Sequence, residues 1–417
     1  MLEQQKFCVL LSAYACQPGL GSEPGLGWNW AFELARAGAS VWVLTSPNGK
    51  AAIEGFLRGH RDLDLHFIYI EQPRLGWILQ RFPRGRYWQY VQWQEKAYEA
   101  ARELQARVHF DIAHHVSFAS LLIGSRLWRL ESPFIFGPVG GGQTAPPGFR
   151  RHLQGGWVFE SLRTLVVRHL YAHVLNARST VRGATLVLAA NRETEAAVRA
   201  LGANEMRAMS GVGLSAEQIS ANSPVARSCE DPLRILWVAR LLPFKGLLLA
   251  LEAMALIDRK TPWKLTIAGD GPQGKMLPQW VNALGLQGKV EWLGKIPWPE
   301  VQARYDRADL FLFTSLRDTE GSQLLEAMAR GVPILTLDHQ GAATLVPDAA
   351  GIKVPISTPS GTALALARAV ERLAADRAAL LRMGEAALET ARRHTWDRKA
   401  KDALGIYRQL VERRAAS

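Results

Sequence analysis

ADLFLFTSLRDTEGSQLLEAMARGVPILTL, residues 308–337, is the stretch whose reading decides the fold. Its apolar run 310–313 suits a parallel strand buried on both faces. A polar segment, 314–322, follows and holds Asp318, Glu320 and Gly321. A short helix is predicted over 323–330, stopped by Gly331 and Pro333. The next apolar run, 334–337, reads as another parallel strand. An acidic loop therefore stands at the carboxyl end of a strand and the amino end of a helix, which is where open α/β sheets bind ligands. The amides of Gly321, Ser322 and Gln323 would point out of the helix start and suit a phosphate. Glu326 lies about one turn into that helix, within reach of a sugar hydroxyl.

The alternation extends both ways along the chain. Towards the amino end of this half, strands are predicted at 233–239, 264–268 and 290–293, and one more at 352–354 beyond. Residues 215–232, with Ser223, Pro224, Ser228 and Pro232, read as a linker. Before the linker, strands are predicted at 7–11, 41–45, 65–70, 111–116, 133–139 and 185–190, with a last short one within 206–214. Helices are expected at 28–37 and 121–130, and one or two within 149–182. The run CQPGLGSEPGLG, 16–27, reads as a long glycine-rich turn. It departs from the dinucleotide fingerprint, because Pro24 stands where the third glycine should fall. The second strand also ends without an acid to hold a ribose, so NAD is set aside. The expected fold class is α/β, two doubly wound domains facing each other.

A chain of 417 residues, 48% apolar, can build two or three cores. No run approaches the ~18–20 apolar residues of a membrane span. The start, MLEQQKF, lacks a signal-peptide pattern. Cys8, Cys16 and Cys229 are too few and scattered for a disulfide framework or a metal cluster. A reducing, cytoplasmic setting is expected. The net charge of +12 calls for an anionic membrane surface, nucleic acid or an anionic substrate, unless the protein is simply basic. Residues 73–98 interleave Arg74, Arg81, Arg84 and Arg86 with Trp77, Phe82, Tyr87, Trp88 and Trp93. Residues 149–182 are rich in Arg and apolar side chains, with Glu160 the only acid. The first segment suits a lipid interface or a helix that buries its aromatics; nucleic acid is a weaker fit.

Arg240 and Lys245 fall in ARLLPFKG, just after a predicted strand. Two cations across such a loop can clamp a diphosphate and stabilise a leaving phosphate, though loop cations are more often solvated. GDGPQGK, 269–275, nearly forms a P-loop, but Met276 stands where Ser or Thr must hold magnesium. His114 and His115 are either core residues or site residues. No G-x-S-x-G nucleophile elbow occurs.

In this order and spacing, ARLLPFKG, IAGDGP, VEWLGKI and SLRDTEGSQLLEAMARGVPI resemble the retaining glycosyltransferases of family 4. GSEPGLGWNWA, DIAHHVSF and GPVGGG resemble a bacterial branch of that family, and HTWDRKA resembles its closing helix. The resemblance implies a GT-B fold of two Rossmann-like domains with a cleft between them. It implies an acceptor-side domain over 1–214, a donor domain over 215–396, and a helix at 397–417 packing back on the first. It implies transfer of a sugar, with retention, from a nucleoside-diphosphate-sugar such as a UDP or GDP sugar to an acceptor hydroxyl. The setting would be bacterial exopolysaccharide, lipopolysaccharide or glycolipid synthesis, on a glycan or lipid-linked acceptor.

On this resemblance Arg240 and Lys245 hold the donor diphosphate. Asp318 matches the first of two acids separated by seven residues, where the family usually has Glu; Glu320 competes for that role. Glu326 matches the second acid, which binds the ribose. Gly21, Gly269, Gly271, Ile296, Gly321, Ser322 and Gln323 complete the donor-binding set, and His115 is preferred over His114 near the donor sugar. No metal or further cofactor is implied, only the nucleotide-sugar as co-substrate. The alternatives are a nucleotide-sugar epimerase of the same fold and a non-catalytic basic protein that binds membrane or nucleic acid. Nucleic acid is not expected as a partner, and attachment to the inner membrane face is.

Overall fold

Short apolar runs, punctuated by glycine and polar loops, pair as two all-parallel sheets. A computed structural model describes residues 6–71, 85–165, 176–221, 224, 228 and 230–416. The chain divides into two compact units. The first comprises residues 1–142, 166–213 and 396–417, and the second 143–165 and 214–395.

In the first unit the strands are β1 (Cys8–Ala13), β2 (Ser40–Thr45), β3 (Leu65–Tyr69), β4 (Ile112–Ser117), β5 (Phe134–Val139), β6 (Leu186–Ala189) and β7 (Met206–Ala208). Their order in the sheet is β3-β2-β1-β4-β5-β6-β7. Nearly every side chain of β1, β4, β5 and β6 is buried, which accounts for their continuous apolar reading. Helix α1 (Ser22–Arg36) crosses one face with Trp28, Trp30 and Leu34 inward. On the other, helix α2 (Gly85–Gln105) buries Tyr90, Trp93, Ala97 and Ala101. The last helix, Trp396–Ala416, belongs to this unit, with Trp396 edge-on to Trp30 at 6.1 Å and Tyr407 against His114.

The second unit holds β8 (Leu233–Val238), β9 (Trp263–Ala268), β10 (Val290–Trp292), β11 (Leu310–Phe313), β12 (Ile334–Leu337) and β13 (Gly351–Val354), in the order β10-β9-β8-β11-β12-β13. Helix α3 (Gly156–Leu165) joins this unit from the earlier part of the chain. Helices α4 (Leu247–Ala255) and α5 (Ser322–Met328) follow β8 and β11. The runs 310–313 and 334–337 form strands with those bounds.

Three expectations are corrected. Helix α1 begins at Ser22, so half of the glycine-rich run is helical rather than turn. Gly25 and Gly27 allow the helix to touch the loop that feeds it: a Cβ would lie 2.0 Å from the Leu20 carbonyl oxygen and 2.1 Å from that of Ala15. Residues 121–130 form no long helix, only the turn Leu127–Arg129. The start of this stretch pairs instead with the loop after β5, where Leu121 N–H donates to Gly140 O and Gly140 N–H to Ala119 O, each at 3.1 Å. Of the two readings of the basic aromatic segment, Trp93 follows the buried one, while Trp88 is exposed. Arg74, Trp77, Arg81, Phe82 and Arg84 of that basic segment lie outside the described residues, as do 166–175 of the later one. Finally, residues 143–165, expected in the first domain, belong to the second unit. Burial of Trp157 against that unit's core and the Glu160 ion pairs described below hold them there.

Candidate functional site

In the second unit the chain's strand order reverses between β8 and β11. Loops leaving neighbouring strands in opposite directions open a crevice at such a switch point. The loop after β8 carries Arg240 and Lys245, and the loop after β11 carries Asp318 and Glu320. Backbone and side-chain bonds stitch the two loops together. Leu316 N–H donates to Phe244 O at 2.8 Å, the Thr314 hydroxyl to Gly246 O at 2.9 Å, and the Trp237 indole to the Thr314 hydroxyl at 3.2 Å. Gly246 adopts φ +71°, and a Cβ there would sit 2.0 Å from Thr314 O, so only glycine lets the loops approach this closely.

This frame aims Lys245 at Asp318, and their side chains form an ion pair across the switch point. Both are mostly buried, at 15% and 17% exposed. Asp318 N–H donates to the Gln340 side-chain oxygen at 2.8 Å, and the Gln340 amide nitrogen donates to Thr144 O at 2.8 Å. Arg240 is exposed and its guanidinium has no partner among the described residues.

Helix α5 starts after Gly321, whose φ of +78° turns the chain into the helix. A Cβ on Gly321 would lie 2.8 Å from the Phe313 ring. Glu320 is buried, Ser322 exposed and Gln323 half-buried. Half-buried Glu326 accepts from the Tyr305 hydroxyl at 3.3 Å. Burial pushes the Glu326 carboxyl above its ordinary range, against the lowering effect of hydrogen bonds from Tyr305 and Ser322.

The glycine turn of GDGPQGK packs on the Arg240 loop. Gly269, at φ +138°, would place a Cβ 1.9 Å from Ala239 O, and Leu241 N–H donates to Asp270 O at 3.0 Å. Gly271 packs on Leu241 in the same way, and Ile296 lies half-buried beyond β10. The structure thus joins Lys245 to Asp318 and the Arg240 loop to Gly269 and Gly271.

Four contributors were not recognised as site residues in the sequence: Tyr305, Gln340, Arg317 and Glu160. Glu160 pairs with Arg317 at 2.6 Å and Arg163 at 3.0 Å, and accepts from Ala145 N–H at 3.4 Å. Arg317 in turn lies over the Phe244 ring at 4.2 Å, beside Lys245. The lone acid in a basic stretch was the available signal for this pairing. Tyr305 gives none, since a buried tyrosine at a helix end is ordinary core.

In the first unit the expected histidine is corrected. His115 is fully buried in β4, with Nδ1 2.9 Å from the Ser12 hydroxyl and Nε2 3.0 Å from the Tyr90 hydroxyl. Burial, and then His114, push its pKa down to about 3, so it is neutral at ordinary pH. His114 is buried too. Gly137 O can only accept, so His114 Nε2 donates to it at 2.6 Å, and Nδ1 accepts from the Tyr407 hydroxyl at 2.6 Å. Both histidines are satisfied core residues without a surface to offer a donor. Gly21 is the exposed cap of α1, and a Cβ there would meet nothing within 4 Å.

Residues 219–390 match the family described as glycosyl transferases group 1. WcaL of Escherichia coli (strain K12), whose name assigns it to colanic acid biosynthesis, is 35% identical over 159 residues, 36% of this chain and 39% of WcaL. The chain spans less than half the length of the curated relatives it matches. Among solved structures, sucrose-phosphate synthase from Thermosynechococcus elongatus superposes with a TM-score of 0.67 at 19% identity, covering 99% of this chain and all (100%) of that one. Anabaena Alr3699/HepE, in complex with UDP and glucose, gives 0.57 at 16% identity, covering 99% and 100%. At these identities the likeness shows the fold, the GT-B class with two Rossmann-like sheets.

Proposed function

Proceeding from the group 1 glycosyl transferase domain at residues 219–390, we propose that this protein moves a sugar from a nucleoside-diphosphate-sugar to an acceptor hydroxyl, with retention, in bacterial polysaccharide or glycolipid synthesis. The observation that carries the proposal is the Lys245–Asp318 pair at the switch point of the second unit. It sets a cation where the diphosphate's charge grows as the sugar leaves, and an acid beside it for the sugar hydroxyls. Arg240, exposed on the same loop, adds the second cation. Glu326 takes the ribose hydroxyls, and Gly321, Ser322 and Gln323 offer amides to the phosphates. Glu320, buried, supports the loop, and Asp318 rather than Glu320 meets the sugar. The complex of HepE with UDP and glucose supports a uridine donor, with guanosine sugars next to test.

Calorimetric titration with UDP, GDP and their hexoses tests the site. Binding that weakens at least tenfold in Lys245→Ala, the loss of one charge-assisted bond, is expected. Equal binding would sink it. Retention is read from the anomeric proton coupling of the product against that of the donor. Nucleoside diphosphate released only with acceptor separates transfer from epimerisation.

One observation favours attachment to an anionic membrane. Helix α3 exposes Val158, Phe159, Leu162 and Leu165, at 64%, 67%, 54% and 54%, along one side. Arg151 stands nearby in the chain with 82% of its side chain exposed. An apolar strip with an exposed arginine close to it in the chain fits lipid with acidic headgroups, and the net charge of +12 adds to the attraction. No helix among the described residues is long and apolar enough to cross a membrane. Flotation with phosphatidylglycerol vesicles, lost in Phe159→Glu, is the expected result. Absence of flotation at low salt would remove this reading.

A further inference from the structure

The first unit has a switch point of its own, between β1 and β4, where the strand order reverses. Its chemistry differs from that of the second unit. Residues 14–23, 118–121 and 140–142, which leave β1, β4 and β5, contain no Lys or Arg. Further along the loop after β4, Arg126 is ion-paired with Glu95, so these segments offer a diphosphate no unpaired cation. They present instead a carboxylate and an aromatic ring. Glu23, half-buried in the first turn of α1, reaches across and accepts from Phe118 N–H at 2.7 Å through Oε2. Its Oε1 takes no hydrogen bond among the described residues.

Phe118 sits just past β4 with φ +55°, a conformation that bulky residues rarely hold. It keeps 39% of its surface exposed. Its ring meets Tyr14 edge-on at 5.0 Å and Tyr90 at 5.3 Å. Beneath it, the Tyr90 hydroxyl donates to Phe118 O at 3.4 Å and accepts from Gln94 Nε2 at 2.6 Å. The same hydroxyl lies 3.0 Å from His115, which is itself anchored on Ser12. The buried histidine set aside above therefore belongs to the support of this loop. Strain persists at a point only where its surroundings over-determine it, and here both sides of Phe118 are held.

We propose that this crevice binds the acceptor as a neutral sugar ring, with Glu23 receiving its hydroxyls and Phe118 lying against its apolar face. This rests on the glycosyl-transfer reading. An exposed aromatic surface with one placed carboxylate matches a pyranose, which has a C–H face and a rim of hydroxyl donors. Burial holds the Glu23 carboxyl above its ordinary range, so a partner that hydrates it through hydroxyls is favoured.

The test uses the full chain and a panel of methyl hexopyranosides (gluco, galacto and manno), read by saturation-transfer NMR with UDP present. Wild-type protein should saturate ring protons of at least one glycoside. Glu23→Gln should weaken that glycoside about tenfold, the loss of a charge-assisted bond. Phe118→Asn keeps a residue tolerant of φ > 0 and removes the ring, so it should abolish the signal while the fold survives. Equal saturation in both variants, or none in wild type, would overturn the proposal. Thermal stabilisation by UDP-glucose is measured alongside. If the donor binds but both variants still take the glycoside, the acceptor site fails alone. If no donor binds while the glycoside signal depends on Glu23 and Phe118, the sugar site stands and the transfer reading falls.

Discussion

Replacing Glu160 by Gln should loosen the loop after β11 from a distance in sequence. The carboxylate is 7% exposed and faces Arg317 and Arg163, at 19% and 26%. Gln keeps the shape but turns an amide donor toward two guanidinium donors. Removing one partner of a buried pair costs ~3–5 kcal/mol, and the partial exposure of both arginines argues for the low end, about 3 kcal/mol. For a unit of this size ~2–4 °C follows per kcal/mol, so the second unit's calorimetric transition should fall by about 6–12 °C. The first unit's transition should hold. Arg317→Met in the Glu160→Gln background should cost less than Arg317→Met alone, since the two residues share one interaction. UDP affinity should fall with the stability, because Arg317 lies between Glu160 and the Phe244–Lys245 turn. A fall below about 2 °C, less than 1 kcal/mol, would refute the assignment of residues 143–165 to this unit's framework.

Two further outcomes follow from the same geometry. Lys245→Ala should leave Asp318 facing the diphosphate unpaired, so adding Asp318→Asn should recover part of the lost UDP affinity in calorimetric titration; a double variant no better than Lys245→Ala would break the pairing argument. Glu326, raised above its ordinary 4.5 by burial, lends stability that is fully present below that value and lost as pH rises through the folded pKa. Glu326→Gln does not titrate there. Its melting temperature should gain on wild type between acid and neutral pH while its UDP affinity falls, and a pH-independent difference would contradict this.

The strands of the second unit and the loop between β11 and α5 were largely legible in the chain. Residues 310–313 and 334–337 carry long enough apolar runs that burial on both faces left one reading, and the acidic loop between them had to fall at strand ends. Asp318 and Glu326, with seven residues between them, fall on the loop after β11 and on helix α5. What could not be read depended on partners remote in sequence. Glu160 looks like a surface acid until Arg317, distant in the chain, is brought to it. His115 is the same residue type whether it lines a site or fills a core, and only the Ser12 and Tyr90 contacts decide. The start of α1 was hidden because Gly25 and Gly27 signal a turn by propensity but serve as close-approach points by packing. Glu23 and Phe118 were invisible for a related reason: their meeting is a property of strand order, not of spacing.

The most direct measurement is a titration of the full chain with UDP, GDP and their hexoses, followed by thermal stability. A ligand that binds the native state alone must raise the melting temperature, by about 2.7 kcal/mol of stability at a hundredfold excess over Kd. The account predicts such a shift with one nucleotide-sugar and its collapse in Lys245→Ala. No shift with any of them, or an undiminished shift in Lys245→Ala, would contradict the assignment of the Lys245–Asp318 crevice as the donor site.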